Sequence, residues 1–381
     1  MVSQIEKKFS EHFPGQPIII TSPGRINVIG EHTDYNDGYV LPAAIDKVIC
    51  VAVNKRDDDI VKLYSTEYNE LYESSITTLV RSKKDWVNYV IGVADQLLKK
   101  GFPVHGFNMI LDGNVPIGAG LSSSAAVECA VVFSLNELFE LKLDKLEMVK
   151  LAQKAEHEFA GVMCGIMDMF ASMYGKTEHA IKLDCRSLEY EYVPLKLPGH
   201  KLLLFNTNVK HNLASSAYND RRAQCERGAA LIRKHIPSVK TLRDVTPAML
   251  EQYMLPSDKL VYQRCNYVVQ ENLRLLNACE DLTQGNLWGL GKKMFDTHKG
   301  LSNDYEVSCK ELDILVDLAK NDIAVLGARM MGGGFGGCTL NLVKENEIER
   351  LVNEVGEKYY LQTGLSCSHY VVAAGSGTST I

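Results

Sequence analysis

Pro116-Ile117-Gly118-Ala119-Gly120-Leu121-Ser122-Ser123-Ser124-Ala125-Ala126 is the stretch on which the reading of this chain turns. Before it, GFNMILDG (residues 106–113) has the composition of a strand. After it, AAVECAVVFSLNELFELK (125–142) has helical length and few polar positions, so the segment reads as strand, glycine-rich loop and mostly buried helix. Glycines let backbone N–H groups approach an anion with no Cβ in the way, and a helix N-terminus favours negative charge. The hydroxyls of Ser122, Ser123 and Ser124 can cap the helix, donate to phosphate or ligate magnesium. It is not a Walker A loop, because no lysine follows the glycines, nor a dinucleotide fingerprint, because serines stand at the later positions. The bland alternative is a flexible loop ahead of an ordinary serine cap, but eleven specified residues exceed what a turn needs.

Toward the N-terminus, PGRINVIGEHTDYNDG (23–38) gathers Arg, Glu, His and Asp among glycines. A hexose presents hydroxyls that both donate and accept, so recognising one takes carboxylates and an imidazole at fixed positions. Glu31, His32 and Asp34 meet that need; an exposed polar turn is the competing reading. Toward the C-terminus a second helix is expected from Asp144 to Phe159, with Asp144 and Glu147 in capping-box spacing and Gly161 as its stop. Its apolar stripe of Met148, Ala152, Ala155 and Phe159 leaves Glu156 roughly 80° from the stripe's middle, at the border of core and solvent.

Farther out, QPIIITSPG reads as a strand closed by a Ser-Pro-Gly turn. KVICVAVNKR, DIVKLYSTE, KLLLFNTNV, CTLNLV and HYVVAAG read as further strands, and residues 217–236 and 262–280 as helices. The short, proline-bounded VPLKLPGHK suggests a linker, dividing the chain into domains 1–197 and 198–381. With 381 residues, two domains flanking a ligand cleft are the expected arrangement. Hydrophobic residues make up 46% and charged residues 23%, as in globular proteins with a substantial core. The net charge of -6 and scattered Lys and Arg argue against nucleic acid as a partner. Ten cysteines without a CxxC pair fit reduced thiols. No apolar leader and no run of ~20 apolar residues is present, so no membrane partner and a cytoplasmic location are expected.

GRINVIGEHTDYNDGYVLPAAI (24–45) is similar to the galactokinase signature, PIGAGLSSSAA resembles the second motif of the GHMP kinases, and Met331-Gly332-Gly333-Gly334-Phe335-Gly336-Gly337 resembles the third. The resemblance runs from residue 23 to residue 337. It implies an α+β, two-domain GHMP kinase fold: a ribosomal-protein-like N-terminal domain with a left-handed βαβ unit, a ferredoxin-like C-terminal domain, and the active site between them. The implied reaction is ATP-dependent phosphorylation of the C1 hydroxyl of D-galactose by a monomer using Mg2+. Carried over residue by residue, the resemblance makes Asp168 the catalytic carboxylate, able to orient the sugar hydroxyl and accept its proton, and Arg25 its partner near the reacting oxygens. It assigns the sugar to Glu31, His32, Thr33, Asp34, Gly165 and Tyr218, and the nucleotide to Ser65 and the loop Gly118, Ala119, Gly120, Leu121, Ser122, Ser123 and Ser124. Ser124 and Glu156 become the magnesium ligands.

Each assignment has an ordinary counterpart: a structural ion pair for Arg25, a helix-cap role for Asp168, a solvated helix face for Glu156, a packing role for Tyr218 and a purely steric need for glycine at 332–337. Met169 follows Asp168 where many family members carry Gln, which removes any hydrogen bond from that position. A kinase for N-acetylgalactosamine, galacturonate or arabinose, and a non-catalytic galactose and ATP sensor, are the competing functions.

Overall fold

The computed structural model describes residues 2–116, 118–209 and 214–381, so Ile117 of the glycine loop lies outside the described residues. The chain opens with α1 (Val2–His12), whose Ile5 and Phe9 pack on β1 (Ile18–Asn27) through Ile19. Then come β2 (Tyr39–Val40), β3 (Pro42–Lys55), the hairpin of β4 (Ile60–Ser65) and β5 (Glu70–Ser75), α2 (Asp85–Lys99), β6 (Phe107–Gly113), α3 (Ser123–Phe139), α4 (Lys145–Ala155), α5 (Met167–Tyr174), β7 (His179–Asp184) and β8 (Tyr190–Pro194). The rest holds β9 (His200–Asn206), α6 (Ala214–Arg233), the single turn α7 (Pro247–Met249), α8 (Lys259–Gln284), α9 (Leu287–Lys299), α10 (Lys310–Lys320), β10 (Val325–Met330), β11 (Cys338–Lys344), α11 (Ile348–Thr363), β12 (Ser368–Val372) and β13 (Ser379–Thr380).

A six-stranded sheet has the order β13-β1-β3-β6-β4-β5 and is antiparallel except where β4 meets β6. That parallel pair needs a crossover, which α2 supplies. A four-stranded antiparallel sheet, β10-β11-β9-β12, and a small sheet, β2-β7-β8, complete the framework. In β4, IVKLYS alternates between buried and half-buried positions, as a strand with one covered face must. The apolar α3 is explained by its surroundings: it lies on β1 and β3 and is flanked by α2, α4 and α5, so nearly every side faces protein. Burying a Leu or Val side chain there contributes roughly 1.5–3 kcal/mol each.

Two local expectations need correction. Ser22-Pro23-Gly24 is not a turn: β1 continues through it to Asn27, with its register against β3 shifting between Pro23 and Arg25. A bulge tolerates proline's missing N–H and re-aims the residues that follow. The Pro23 carbonyl accepts from Ser172 Oγ (2.8 Å), and Arg25 N donates to the Leu121 carbonyl (3.1 Å), tying the bulge to the glycine loop. The second departure concerns Glu156. The capping box at Asp144 and Glu147 is present, and Gly161 caps the helix with φ 78°. Between them, however, α4 widens into an i→i+5 turn over Glu156–Ala160, with Gly161 N on the Glu156 carbonyl (2.9 Å). The phase up to Glu156 is regular, but α2 and α3 pack over the wide turn, so Glu156 is 7% exposed rather than at the solvent border.

Candidate active site

The bulge in β1 delivers Arg25 to the mouth of a cavity of about 330 Å3. Its guanidinium grips Asp168 with two bonds, Nε to Oδ1 and Nη2 to Oδ2, each 2.9 Å, and donates Nη1 to the Gly120 carbonyl (2.6 Å). Asp168 sits in the first turn of α5, where the helix N-terminus favours a carboxylate. Ser122, at the N-cap position of α3, has left-handed backbone (φ 55°) and does not cap the helix. Its hydroxyl donates to Asp168 Oδ2 instead. A non-glycine residue held in that conformation stores strain, which the contact with the carboxylate offsets. The glycine loop, the arginine and the aspartate thus meet at one point.

Glu31, His32, Asp34, Gly165 and Tyr218 line the same cavity. Glu31 is held by Arg329 of β10 (3.0 Å) and by the main-chain amide of Gly332 (2.8 Å). His32 has left-handed backbone (φ 62°), and burial pushes its pKa down to about 4, so the ring is neutral. A carbonyl only accepts, so His32 Nε2–H donates to the Gly333 carbonyl (3.2 Å) and Nδ1 accepts from the Tyr35 hydroxyl (2.7 Å). Tyr305 must then donate to Tyr35 (2.8 Å), which fixes a directed chain behind the imidazole. Asp34 is pushed up to about 7, first by burial and then by the charge of Asp168. Gly165 packs so tightly on the Asp34 carboxylate that a Cβ would overlap it. The Tyr218 ring stands 5.3 Å from that of His32. Thr33 is the departure from the expected sugar set: its hydroxyl donates inward to the carbonyls of Gly30 (2.9 Å) and Tyr39 (2.5 Å), and it does not line the cavity.

A second cavity, about 280 Å3, lies on the other side of the loop helix and is lined by Ser65, Tyr68, Trp86, Tyr89, Ser123 and Ser124 among others. Between the two cavities, Ser124 Oγ donates to Glu156 Oε1 (2.9 Å). Among the described residues no group of three or more His, Cys, Asp or Glu is arranged to hold a metal alone. A hydroxyl and a buried carboxylate nevertheless suit Mg2+, which takes few protein oxygens and completes its shell with water and phosphate. Gly120 has φ 72°, open to glycine at no steric cost, and Gly332 and Gly337 bring the third motif against the main chain of Ala119 and Gly120.

Glu128 of α3 is fully buried, and neither carboxylate oxygen has a hydrogen-bond partner. Burial, then the charges of Glu156 and Asp168, push its pKa well up. A carboxyl whose pKa is raised on folding weakens the fold as pH climbs above its unfolded value. Glu128→Met should therefore raise Tm at pH 8 by about 2 °C or more and change it little near pH 4. Thermal melts across that range check this; a lower Tm at pH 8 would contradict it.

Several site residues had no clear mark in the sequence. Arg329 and Tyr305 enter from 270 or more residues away, and Glu271 of α8 accepts from Gly30 N (2.9 Å) at the base of the polar turn. Trp86 and Tyr89 could have been found: one of only two tryptophans stands three residues before a tyrosine, so both share a helix face.

Comparison with known proteins gives the family and the fold. Residues 7–55 match the galactokinase galactose-binding signature, 88–176 the GHMP kinases N terminal domain and 278–361 the GHMP kinases C terminal. The chain is 40% identical to a galactokinase of Fusobacterium nucleatum over 390 residues, covering all of both chains. It is 41% identical to one of Thermotoga maritima, covering 95% of this chain and 99% of the relative. A crystal structure of Lactococcus lactis galactokinase complexed with galactose superposes with a TM-score of 0.95 at 36% identity, covering all of both chains. Methanococcus jannaschii mevalonate kinase (TM-score 0.65, 18% identity, 95% and 99% covered) shares the fold.

Proposed function

Since this chain belongs to the galactokinase family of GHMP kinases, we infer that it transfers the γ-phosphoryl group of ATP to the C1 hydroxyl of D-galactose, giving galactose 1-phosphate and ADP. The observation that carries this reading is the meeting of Arg25, Asp168 and Ser122 where the polar cavity touches the glycine loop. In this reading Asp168 orients the C1 hydroxyl and takes its proton as the new P–O bond forms and the bond to ADP breaks. Arg25 bridges that carboxylate and the loop, where its charge stabilises negative charge on the transferring group. Ser65, Tyr68, Trp86 and Tyr89 hold the nucleotide, the amides of Gly118 to Ser124 hold its phosphates, and Ser124 with Glu156 holds Mg2+. When bound, Mg2+ neutralises phosphate charge. Glu31, Asp34 and Tyr218 receive the sugar hydroxyls, with Gly165 giving them room and neutral His32, whose two ring nitrogens are taken up by Tyr35 and Gly333, forming part of the wall.

We also assign the two units to residues 1–197 and 198–381, with β13 crossing back to the first sheet, and the working form to a cytoplasmic monomer. No helix among the described residues is long and apolar enough to cross a membrane. A coupled assay of ADP release decides the reaction. Release should require both galactose and Mg2+ and stop on chelation. Faster turnover of N-acetylgalactosamine, galacturonate or arabinose would move the substrate assignment, and binding of both ligands without turnover would make the chain a sensor.

A further inference from the structure

Both oxygens of Glu156 are engaged by this chain's own side chains, and the two donors come from opposite sides. Oε1 accepts from Ser124 Oγ (2.9 Å), at the start of the loop helix, and Oε2 accepts from the Cys164 thiol (3.4 Å), which lines the sugar-side cavity. A single donor would leave a carboxylate free to rotate; two opposed donors fix its plane. Cys164 is itself immobilised. Its carbonyl accepts from Gln153 Nε2 (3.2 Å) and His157 Nε2 (2.9 Å), one on α4 and one in its wide final turn. The next residue, Gly165, lies against the Asp34 carboxylate with no space for a side chain. Asp34, Gly165, Cys164, Glu156 and Ser124 therefore form one run of contacts from the sugar pocket to the cation pair.

We propose that Cys164 is a positioning residue: its thiol occupies Glu156 Oε2, so that Glu156 offers a single oxygen, Oε1, to the cation beside Ser124. This rests on the reading of Ser124 and Glu156 as the magnesium pair. Mg2+ demands near-octahedral geometry with few protein oxygens, whereas Ca2+ accepts bidentate carboxylates and larger shells. A carboxylate held to one oxygen thus favours Mg2+. Partners that orient a ligand without touching the metal typically change affinity 10- to 100-fold when removed, and a thiol is a weak donor, so the low end applies.

Electron paramagnetic resonance titration of Mn2+ into the complex of full-length protein with ADP reads this without turnover. Cys164→Ala should weaken Mn2+ binding about tenfold and let Ca2+ compete more effectively, while Cys164→Ser, which restores a donor, should return affinity to within about threefold of the parent. Galactose affinity without nucleotide or metal should fall less than Mn2+ affinity does in either variant, because the thiol lines the cavity but spends its proton on Glu156. Cys164→Val, which also lacks a donor, replaces the alanine variant if that fails to fold. Unchanged Mn2+ affinity in the donor-less variants, failure of serine to rescue, or a parallel loss of galactose affinity would overturn the proposal. Glu156→Gln separates the two readings: if it leaves Mn2+ binding intact, the cation pair itself is misassigned, whatever Cys164 does.

Discussion

Asp168→Asn should lower kcat by about 10²- to 10⁴-fold while the affinities for galactose and ATP change by no more than a few-fold. The substitution keeps the shape of the side chain and leaves one oxygen to accept from Arg25. What it removes is the ability to take a proton and the negative charge that aligns the guanidinium and the Ser122 hydroxyl. Groups that act only as the bond forms lower kcat and kcat/KM together, whereas groups that act on binding raise KM. Steady-state kinetics combined with calorimetric titration of each substrate separates the two. A variant with near-parental kcat and a collapsed galactose affinity would make Asp168 a sugar ligand and leave the proton without an acceptor.

What could be read ahead of the structure was the part written in local sequence. The strand before the glycine loop, the buried helix after it, the capping box at Asp144 and the glycine stop at 161 each depend on residues within a few positions of one another, and each is present. Glu31, His32 and Asp34 were legible for the same reason, being held in one short turn. The misses have physical causes. Pro23 looked like a turn residue because proline cannot donate in a ladder, but a bulge removes that requirement. Glu156 was placed by the stripe of its own helix, which says nothing of the neighbouring α2 and α3 that cover it. Thr33 shares its neighbours' polarity, yet its side chain points back into the turn, a direction set by backbone geometry rather than residue type. Arg329 is the clearest case: a single arginine in a strand gives no hint of a partner about 300 residues earlier.

Arg329 also has the largest expected effect on stability. The residue is fully buried, and Glu31 is 2% exposed. Besides its bond to Glu31 Oε1, the guanidinium donates to the carbonyls of Val28 (3.0 Å), Met330 (2.7 Å) and Asn27. Arg329→Leu would strand a buried carboxylate with only the Gly332 amide in support, and would leave three carbonyls short of a donor. Breaking one side of a buried pair costs about 3–5 kcal/mol, far more than the net worth of the pair, because the remaining charge has no compensation. Galactose affinity should fall at least tenfold as well, since Glu31 loses the contact that orients it within the cavity. Denaturant unfolding and galactose titration measure the two effects. Adding Glu31→Gln in the same chain should recover part of the lost stability, because it removes the stranded charge, but none of the lost affinity, because the sugar then meets no carboxylate there. A single variant that stays as stable as the parent would mean that water reaches Glu31 and that the link between β10 and the polar turn is not what holds the pocket in shape.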